Sequence, residues 1–483
     1  MTITVDSRRC GEGKTRDDTE GLVRDKGRVL STWANIKTRW QLGDRCLVVL
    51  PSLALCEYYQ QHLTEFLVEE NSLHANQLAK ITSIDYANVQ QQLHTALDER
   101  CAIIIITQQA WLNSSIPSSQ RSAYHLIIDE AIMPYREITV YHEQTCGVDF
   151  NWAVNSNLLQ APDLAVEWNE LRLHNLKGNF ITDAAEQTRH LLNENWRNRV
   201  HLDDYAKFAD VIPKNERISV IQELLPELFE HYNSIWIACA AFEYTFMRFW
   251  MDQHNLIWNI HPKLQFKQHQ VPIRLMGPDD SKFHWSSYKQ NNEPELIQQF
   301  SEQARKEVNN SSVLVLRNNA QNRQIYQQEQ RLPHNSAGSN DYTDYKYVSL
   351  ESALNPTPNM TRFLYAVYGI GQGTGQNGVK DPVHMAQTVY TFYQTVMRCC
   401  LRRGEPATVF SLDNRVILGL AEFFTNVDFE EIRLVRENVN PIGRPATGQK
   451  HTGSEKVFLS RKRKDPKYQG WTDEQILDLR KKM

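Results

Sequence analysis

Long apolar runs are what this chain most plainly lacks. Runs such as Cys46–Leu50 and Ala102–Ile106 fall far short of the ~20 residues that a bilayer-crossing helix needs. The first residues show no basic-then-apolar leader pattern. Cysteine is thinly used as well: eight in 483 residues, scattered except for Cys399-Cys400, with no C-x-x-C pair and no Cys/His cluster at zinc spacing. Neither a disulfide scaffold nor a zinc framework is expected from that usage, and a reducing cytoplasm fits it best. Charge of one sign is missing too: 53 Lys and Arg against 57 Asp and Glu leave a net −4. Any grip on nucleic acid must then rest on local patches rather than on a global field. These absences point to a soluble intracellular protein with no membrane partner, long enough for several domains.

What is present begins at Cys10-Gly11-Glu12-Gly13-Lys14-Thr15, directly behind the apolar run Ile3-Thr4-Val5. A strand feeding a Gly-x-Gly-Lys-Thr turn has the form of a phosphate-binding loop. In such a loop the backbone of Gly11, Glu12 and Gly13 closes around phosphate oxygens, Lys14 reaches the β and γ phosphates, and the Thr15 hydroxyl binds Mg²⁺. Arg8 stands where the full eight-residue pattern has its first glycine. Taken alone, so short a pattern also fits a basic turn near a chain start.

The order of the downstream segments bears on that choice. Val29–Trp40 and Leu55 to about Val68 carry apolar residues at helical spacing. Cys46–Leu50, Ala102–Ile106 and His125–Ile128 are apolar throughout and end in Pro51-Ser52, Thr107-Gln108-Gln109 and Asp129-Glu130. Continuous apolar strands alternating with helices predict a parallel sheet covered on both faces, with ligands at the carboxyl ends of the strands. Two adjacent carboxylates there suit a metal ligand, Asp129, and a water-orienting base, Glu130. A solvated strand end is the plain alternative.

Gly-Glu-Gly-Lys-Thr, then Leu-Pro-Ser-Leu-Ala-Leu (50–55), Ile-Ile-Thr-Gln-Gln-Ala (105–110) and Ile-Ile-Asp-Glu-Ala (127–131) together resemble the first RecA-like domain of a superfamily 2 helicase of the DEAD/DEAH type. The resemblance implies that Lys14, Thr15, Asp129 and Glu130 serve ATP and Mg²⁺, while Pro51, Ser52 and Thr107 lie against a nucleic-acid backbone. With the first strand at Ile3, no upstream adenine-reading segment of the DEAD-box kind is expected. Residues 141–230 read as a mostly helical insertion, with helices over Asp183–Arg197 and from Ile218 to about Tyr232; it is either a nucleic-acid clamp or an embellishment. Ser234–Ala240 reads as a strand that resembles motif III, although Cys239-Ala240 lacks that motif's hydroxyl.

A hinge is expected around Trp258–Val271, then a helix over Glu293–Val308 and a strand over Ser312–Leu316 that runs into Arg317-Asn318-Asn319. This resembles motif IV, which implies a nucleic-acid contact at Asn318. The run His334-Asn335-Ser336-Ala337-Gly338-Ser339-Asn340, followed by Tyr347–Leu350 and Asn355-Pro356, is similar to motif V of helicase-like proteins of phages and mobile elements. Its small and polar residues His334, Ser336, Gly338 and Asn340 suit close approach to a phosphodiester; composition alone also fits a surface loop. Gln394, Arg398 and Arg402 recur at four-residue spacing and predict one helix face. They resemble motif VI, which implies arginine fingers on the γ-phosphate. The glycine-rich run Gly369–Gly375 lacks dinucleotide-fingerprint spacing and reads as a loop, and the lysine- and arginine-rich tail from residue 440 reads as an arm drawn to phosphate or a solubilising tail.

The expectation is thus an α/β protein of two tandem RecA-like domains, 1–257 and 272–430, with a basic tail over 440–483. ATP and Mg²⁺ are the expected cofactors at the cleft between the two, and a nucleic acid the expected partner, DNA before RNA. Protein partners would dock through the tail or the insertion, and replication of a mobile element is the pathway the resemblance implies.

Overall fold

A computed structural model of the chain describes residues 2–8, 24–25, 28–70, 77–141, 167–170, 191, 193–204, 217–279, 283, 285–286, 293–318, 324–332, 342–367 and 381–434. Residues 1–434 form one compact unit and 435–483 another, and the basic tail lies outside the described residues.

The first half of the chain lays down β1 (Ile3–Asp6), a short ribbon of β2 (Arg24–Asp25) and β3 (Arg28–Val29), then β4 (Arg45–Leu50), β5 (Leu78–Ile81), β6 (Ile103–Thr107) and β7 (Tyr124–Asp129). Cys46 to Leu50 and Ile103 to Ile106 are buried without alternation, as strands covered on both faces must be. Val48 sits between Ile105 and Ile127 in parallel register. Two side-chain caps start helices where these strands end. Ser52 Oγ accepts from the Leu55 N–H at 3.3 Å and starts the helix Leu53–Glu69. Thr107 Oγ1 accepts from the Ala110 N–H at 3.2 Å and starts Gln108–Leu112. Each cap satisfies an otherwise orphaned backbone donor.

The insertion departs from expectation. Among the described residues, β8 (Tyr135–Tyr141), β9 (Trp168–Glu170), β10 (Trp196–His201) and β11 (Arg217–Leu224) form an antiparallel sheet in the order β8-β11-β10-β9. The helix expected from Ile218 is therefore a strand, and the one expected over Asp183–Arg197 gives way to β10 at its end. The physical reason is burial: Val220 to Leu224 are all buried, Gln222 and Glu223 included, so the segment shows no period-two pattern.

The chain then returns to the first sheet as β12 (Ile235–Ala238) and β13 (Trp258–Ile260), completing a seven-stranded parallel order β13-β1-β12-β7-β4-β6-β5. Trp258–Ile260 pairs with β1, so the first lobe runs past residue 257 and that part of the expected hinge is a strand.

The second lobe is built from β14 (Ile273–Pro278), β15 (Val313–Leu316), β16 (Glu329–Arg331), β17 (Tyr347–Leu350), β18 (Ala407–Ser411) and β19 (Val427–Ile432). These make a six-stranded parallel sheet, β16-β15-β17-β18-β14-β19, with the helix Pro294–Val308 where helical spacing placed one. Two parallel α/β sheets in one chain, each with helical connections, are the tandem RecA-like architecture. The lobes meet through apolar contact: Phe363, on the helix Pro358–Val367, lies 5.8 Å from the Tyr135 ring and 5.1 Å from Trp168. Ala240 and Ala241, just beyond β12, pack into the second-lobe core.

Candidate functional site

At the carboxyl end of β7 the chain turns sharply. Asp129 is 4 % exposed and its Oδ2 accepts from the Tyr59 hydroxyl at 3.1 Å. Burial, followed by the charge of Asp129, pushes the Tyr59 phenol well above its ordinary pKa, so it stays a donor. Glu130 takes a left-handed backbone with φ of 76°, rare for a residue with a side chain. Its N–H donates to the Ala238 carbonyl at 2.7 Å. Gln108, just past β6, clamps the turn by donating Nε2 to the carbonyls of Asp129 at 3.3 Å and Glu130 at 3.0 Å.

That turn aims Glu130 at the second lobe, where Gln394 Nε2 donates to Glu130 Oε2 at 3.2 Å. Pro51, Gln108, Glu130, Arg136, Gln394 and Arg398 line a cleft of about 490 Å³ between the lobes. Arg398 is 7 % exposed there. The one-face expectation for Gln394, Arg398 and Arg402 is corrected in its geometry. The helix Tyr390–Val396 stops before Arg398, and Arg402 belongs to a separate 3-10 turn, Cys400–Arg403. The Cys400 N–H goes instead to the Tyr345 carbonyl at 3.0 Å, which ends the helical ladder. Arg402 is not among the residues lining the cleft.

Other expected residues fall elsewhere. Pro51 reaches the cleft, whereas the Ser52 and Thr107 hydroxyls cap helices. Asn318 follows β15 beside Arg317, whose guanidinium forks onto buried Glu351 at 2.6 Å and Glu329 at 3.1 Å. Gly11, Glu12, Gly13, Lys14, Thr15, His334, Ser336, Gly338 and Asn340 lie outside the described residues, as does the glycine-rich run 369–375.

Three cleft residues escaped sequence reasoning. Gln108 carried a signal in its position directly after an apolar strand. Tyr390 stands one helical turn before Gln394 and holds it, Gln394 Nε2 donating to the Tyr390 hydroxyl at 2.5 Å. Arg136 gave none. Its guanidinium carbon lies 4.1 Å from the centre of the Trp196 ring, its Nε donates to Gln222 Oε1 at 2.6 Å, and its buried Nη2 has no partner among the described residues. Burial lowers its pKa to about 10, which leaves it charged at neutral pH.

The donor set suits a metal–polyphosphate. Asp129, buried beside the cleft against Tyr59, is a hard oxygen ligand of the kind Mg²⁺ takes, Glu130 is a carboxylate in the cleft itself, and Arg398 and Arg136 line it with guanidinium groups that match phosphate geometry.

No family model matches the chain, and no curated protein matches its sequence. Among solved structures, S. tokodaii Xpd4 is similar at 12% identity and a TM-score of 0.42, over 89% of this chain and 96% of that one. An XPD helicase is similar at 10% identity and a TM-score of 0.47, with the same coverages of 89% and 96%. The DUF1998 helicase MrfA bound to DNA and AMPPNP is similar at 12% identity and a TM-score of 0.25, over 89% of this chain and 56% of that one. The second and third of these proteins are helicases; the narrower likeness to proteins of phages and mobile elements has its basis in the sequence alone. The two-lobed architecture stands on the parallel sheets themselves.

Proposed function

We propose that the chain is a nucleic-acid-dependent ATPase, a helicase or translocase that uses Mg²⁺ and ATP between its lobes and runs on DNA. The observation that carries this reading is the bond from Gln394 of the second lobe to Glu130 at the working edge of the first sheet. A carboxylate held by the opposite lobe is placed to act only when the cleft is closed, which is how hydrolysis and lobe movement become one event.

Bound ATP and Mg²⁺ would supply the transferable phosphoryl group and the charge that polarises it. Lys14 and the backbone of Gly11, Glu12 and Gly13 would hold the phosphates, and Thr15 and Asp129 the metal. Glu130 orients a water and accepts its proton, with Gln394 fixing the carboxylate. Arg398 faces the same cleft and balances the charge that develops on the phosphoryl oxygens; Arg402 would act beside it after a further movement of its turn. Pro51, Ser52, Thr107, Asn318, His334, Ser336, Gly338 and Asn340 are the proposed nucleic-acid contacts. Replication of a mobile element remains the pathway suggested by residues 334–356.

A second reading has one observation behind it. Arg8, at the first position of the loop, is tied to Asp6 by a 2.6 Å ion pair, which favours a binding protein with a decayed ATPase. The test is ATP hydrolysis by wild type and Lys14→Ala, with no nucleic acid and with single-stranded, duplex or forked DNA or RNA. Stimulation by DNA that is lost in the variant supports the motor, and strand displacement separates a helicase from a loading factor. No hydrolysis with any of them overturns it in favour of the second reading.

A further inference from the structure

At Cys239-Ala240, where β12 hands over to the second-lobe core, the first lobe carries no side-chain hydroxyl. The second lobe brings one in. Tyr390 Oη lies 3.0 Å from Cys239 Sγ and accepts from Gln394 Nε2 at 2.5 Å. Cys239 Sγ is in turn 3.5 Å from the Ala240 carbonyl oxygen. The Gln394 amide has two hydrogens: one serves Glu130 and the other Tyr390. The Tyr390 oxygen accepts from Gln394, either atom of the Tyr390–Cys239 contact can donate to the other, and the thiol also lies within reach of the Ala240 carbonyl. These contacts link Gln394 to the backbone where the lobes join.

We infer that Tyr390 is a positioning residue that fixes Gln394 on Glu130 and ties the state of that carboxylate to the lobe junction at Cys239-Ala240. Three features support it. Gln394 has a free torsion about its last side-chain bond, and a single bond to Glu130 leaves that torsion unset; the second bond, to Tyr390, sets it. Tyr390 and Gln394 are one turn apart on the same short helix, Tyr390–Val396, so they move together when the lobe moves. Cys239 is fully buried with the Tyr390 hydroxyl 3.0 Å from its sulfur, so Tyr390 is one of the groups that cover it. Hydrogen bonds along such a chain reinforce one another in a low-dielectric cleft.

As it concerns the ATPase, the inference rests on the proposed function, so its test has an arm that does not. Tyr390→Phe removes one oxygen and keeps the ring. In the full-length protein without nucleotide, alkylation of Cys239 by iodoacetamide, read peptide by peptide, should accelerate about tenfold in this variant, the weight of one lost hydrogen bond. Cys46 and Cys56, buried in the first-lobe core, should keep their wild-type rates. An unchanged Cys239 rate overturns the inference, and so does an equal rise at all three thiols, which reports general loosening. In the second arm, kcat for ATP should fall about tenfold in Tyr390→Phe with KM unchanged, the pattern of a lost transition-state contact. Hydrolysis with wild-type kcat overturns the positioning role. A wild type that hydrolyses nothing sinks the ATPase reading instead, while the alkylation arm still decides Tyr390.

Discussion

Arg8 occupies a position where the loop pattern asks for glycine, and the fold responds by burying it. It is 1 % exposed, Nε and Nη2 fork onto Asp6 at 2.9 and 2.6 Å, and Nη2 also donates to the Leu30 carbonyl at 2.6 Å. Asp6 has no exposed surface, so removing the guanidinium leaves a carboxylate in the interior with its main partner gone. Arg8→Ala should therefore cost ~3–5 kcal/mol of stability, measured by urea unfolding, and Asp6→Asn combined with Arg8→Gln should recover much of it. A cost below about 1 kcal/mol would show that the pair is not what holds the strand end. Nothing in the residue order announces this contact beyond an acid and a base two positions apart. Alternation along a strand places such residues on one face; that both would be sealed from water is settled by tertiary packing, in which the Leu30 carbonyl takes part.

Among the elements, the apolar strands were legible because composition alone forces their burial: Val48, Ile105 and Ile127 have no face that could meet water. β11 was misread for the converse reason. Its polar members Gln222 and Glu223 are buried and satisfied by neighbours, Gln222 by Asn198 at 2.5 Å and Glu223 by His254 at 3.2 Å, and those partners arrive from distant sequence. The segment before Gln394 shows a third case. A helical turn Pro382–His384, a π-turn Met385–Val389 and the helix Tyr390–Val396 follow one another directly, and a π-turn shifts the face of the succeeding helix by one residue. Its shape is matched by Gly419 on the helix Asn414–Ala421, where an added Cβ would lie 2.6 Å from Val389 Cγ2 and 2.7 Å from Cγ1. Gly419→Ala should destabilise by ~1–3 kcal/mol, and under the proposed ATPase function it should lower ATP turnover more than nucleotide binding by turning Tyr390 and Gln394 away from Glu130. Thermal unfolding together with steady-state hydrolysis checks both halves, and unaltered stability would mean that Val389 yields freely.

For the molecule as a whole, acid is expected to loosen the first lobe through His125. Its Nδ1 lies 2.6 Å from Ser234 Oγ and its Nε2 3.2 Å from Asp44 Oδ2. Burial, then the charge of Arg39, lowers its pKa below the ordinary 6.5, against the pull of Asp44. The folded state thus prefers neutral imidazole, and the unfolded chain takes up a proton first as pH falls. Stability contributed by this site is complete above about pH 6.5 and declines below it until the folded pKa is reached. His125→Gln should flatten the stability profile between about pH 7 and pH 5; a profile as steep as the wild type's would remove His125 as the cause. No helix among the described residues is long and apolar enough to cross a membrane.

The residue order by itself determined the apolar strands of the parallel sheets and the polar edge where Asp129 and Glu130 stand, because continuous apolar strands and strand-end carboxylates are local properties, whereas the bond from Gln394 to Glu130 belongs to the tertiary structure. Only the tertiary structure decided that Arg402 leaves the face of Gln394, that the insertion is a sheet in its described part, and that Tyr390, Arg136 and Gln108 share the cleft. Each of those outcomes turns on a partner remote in sequence, such as Tyr345 for Cys400 or Trp196 for Arg136. A hydrogen bond or a buried face carries no signature in a chain until its other half is in place.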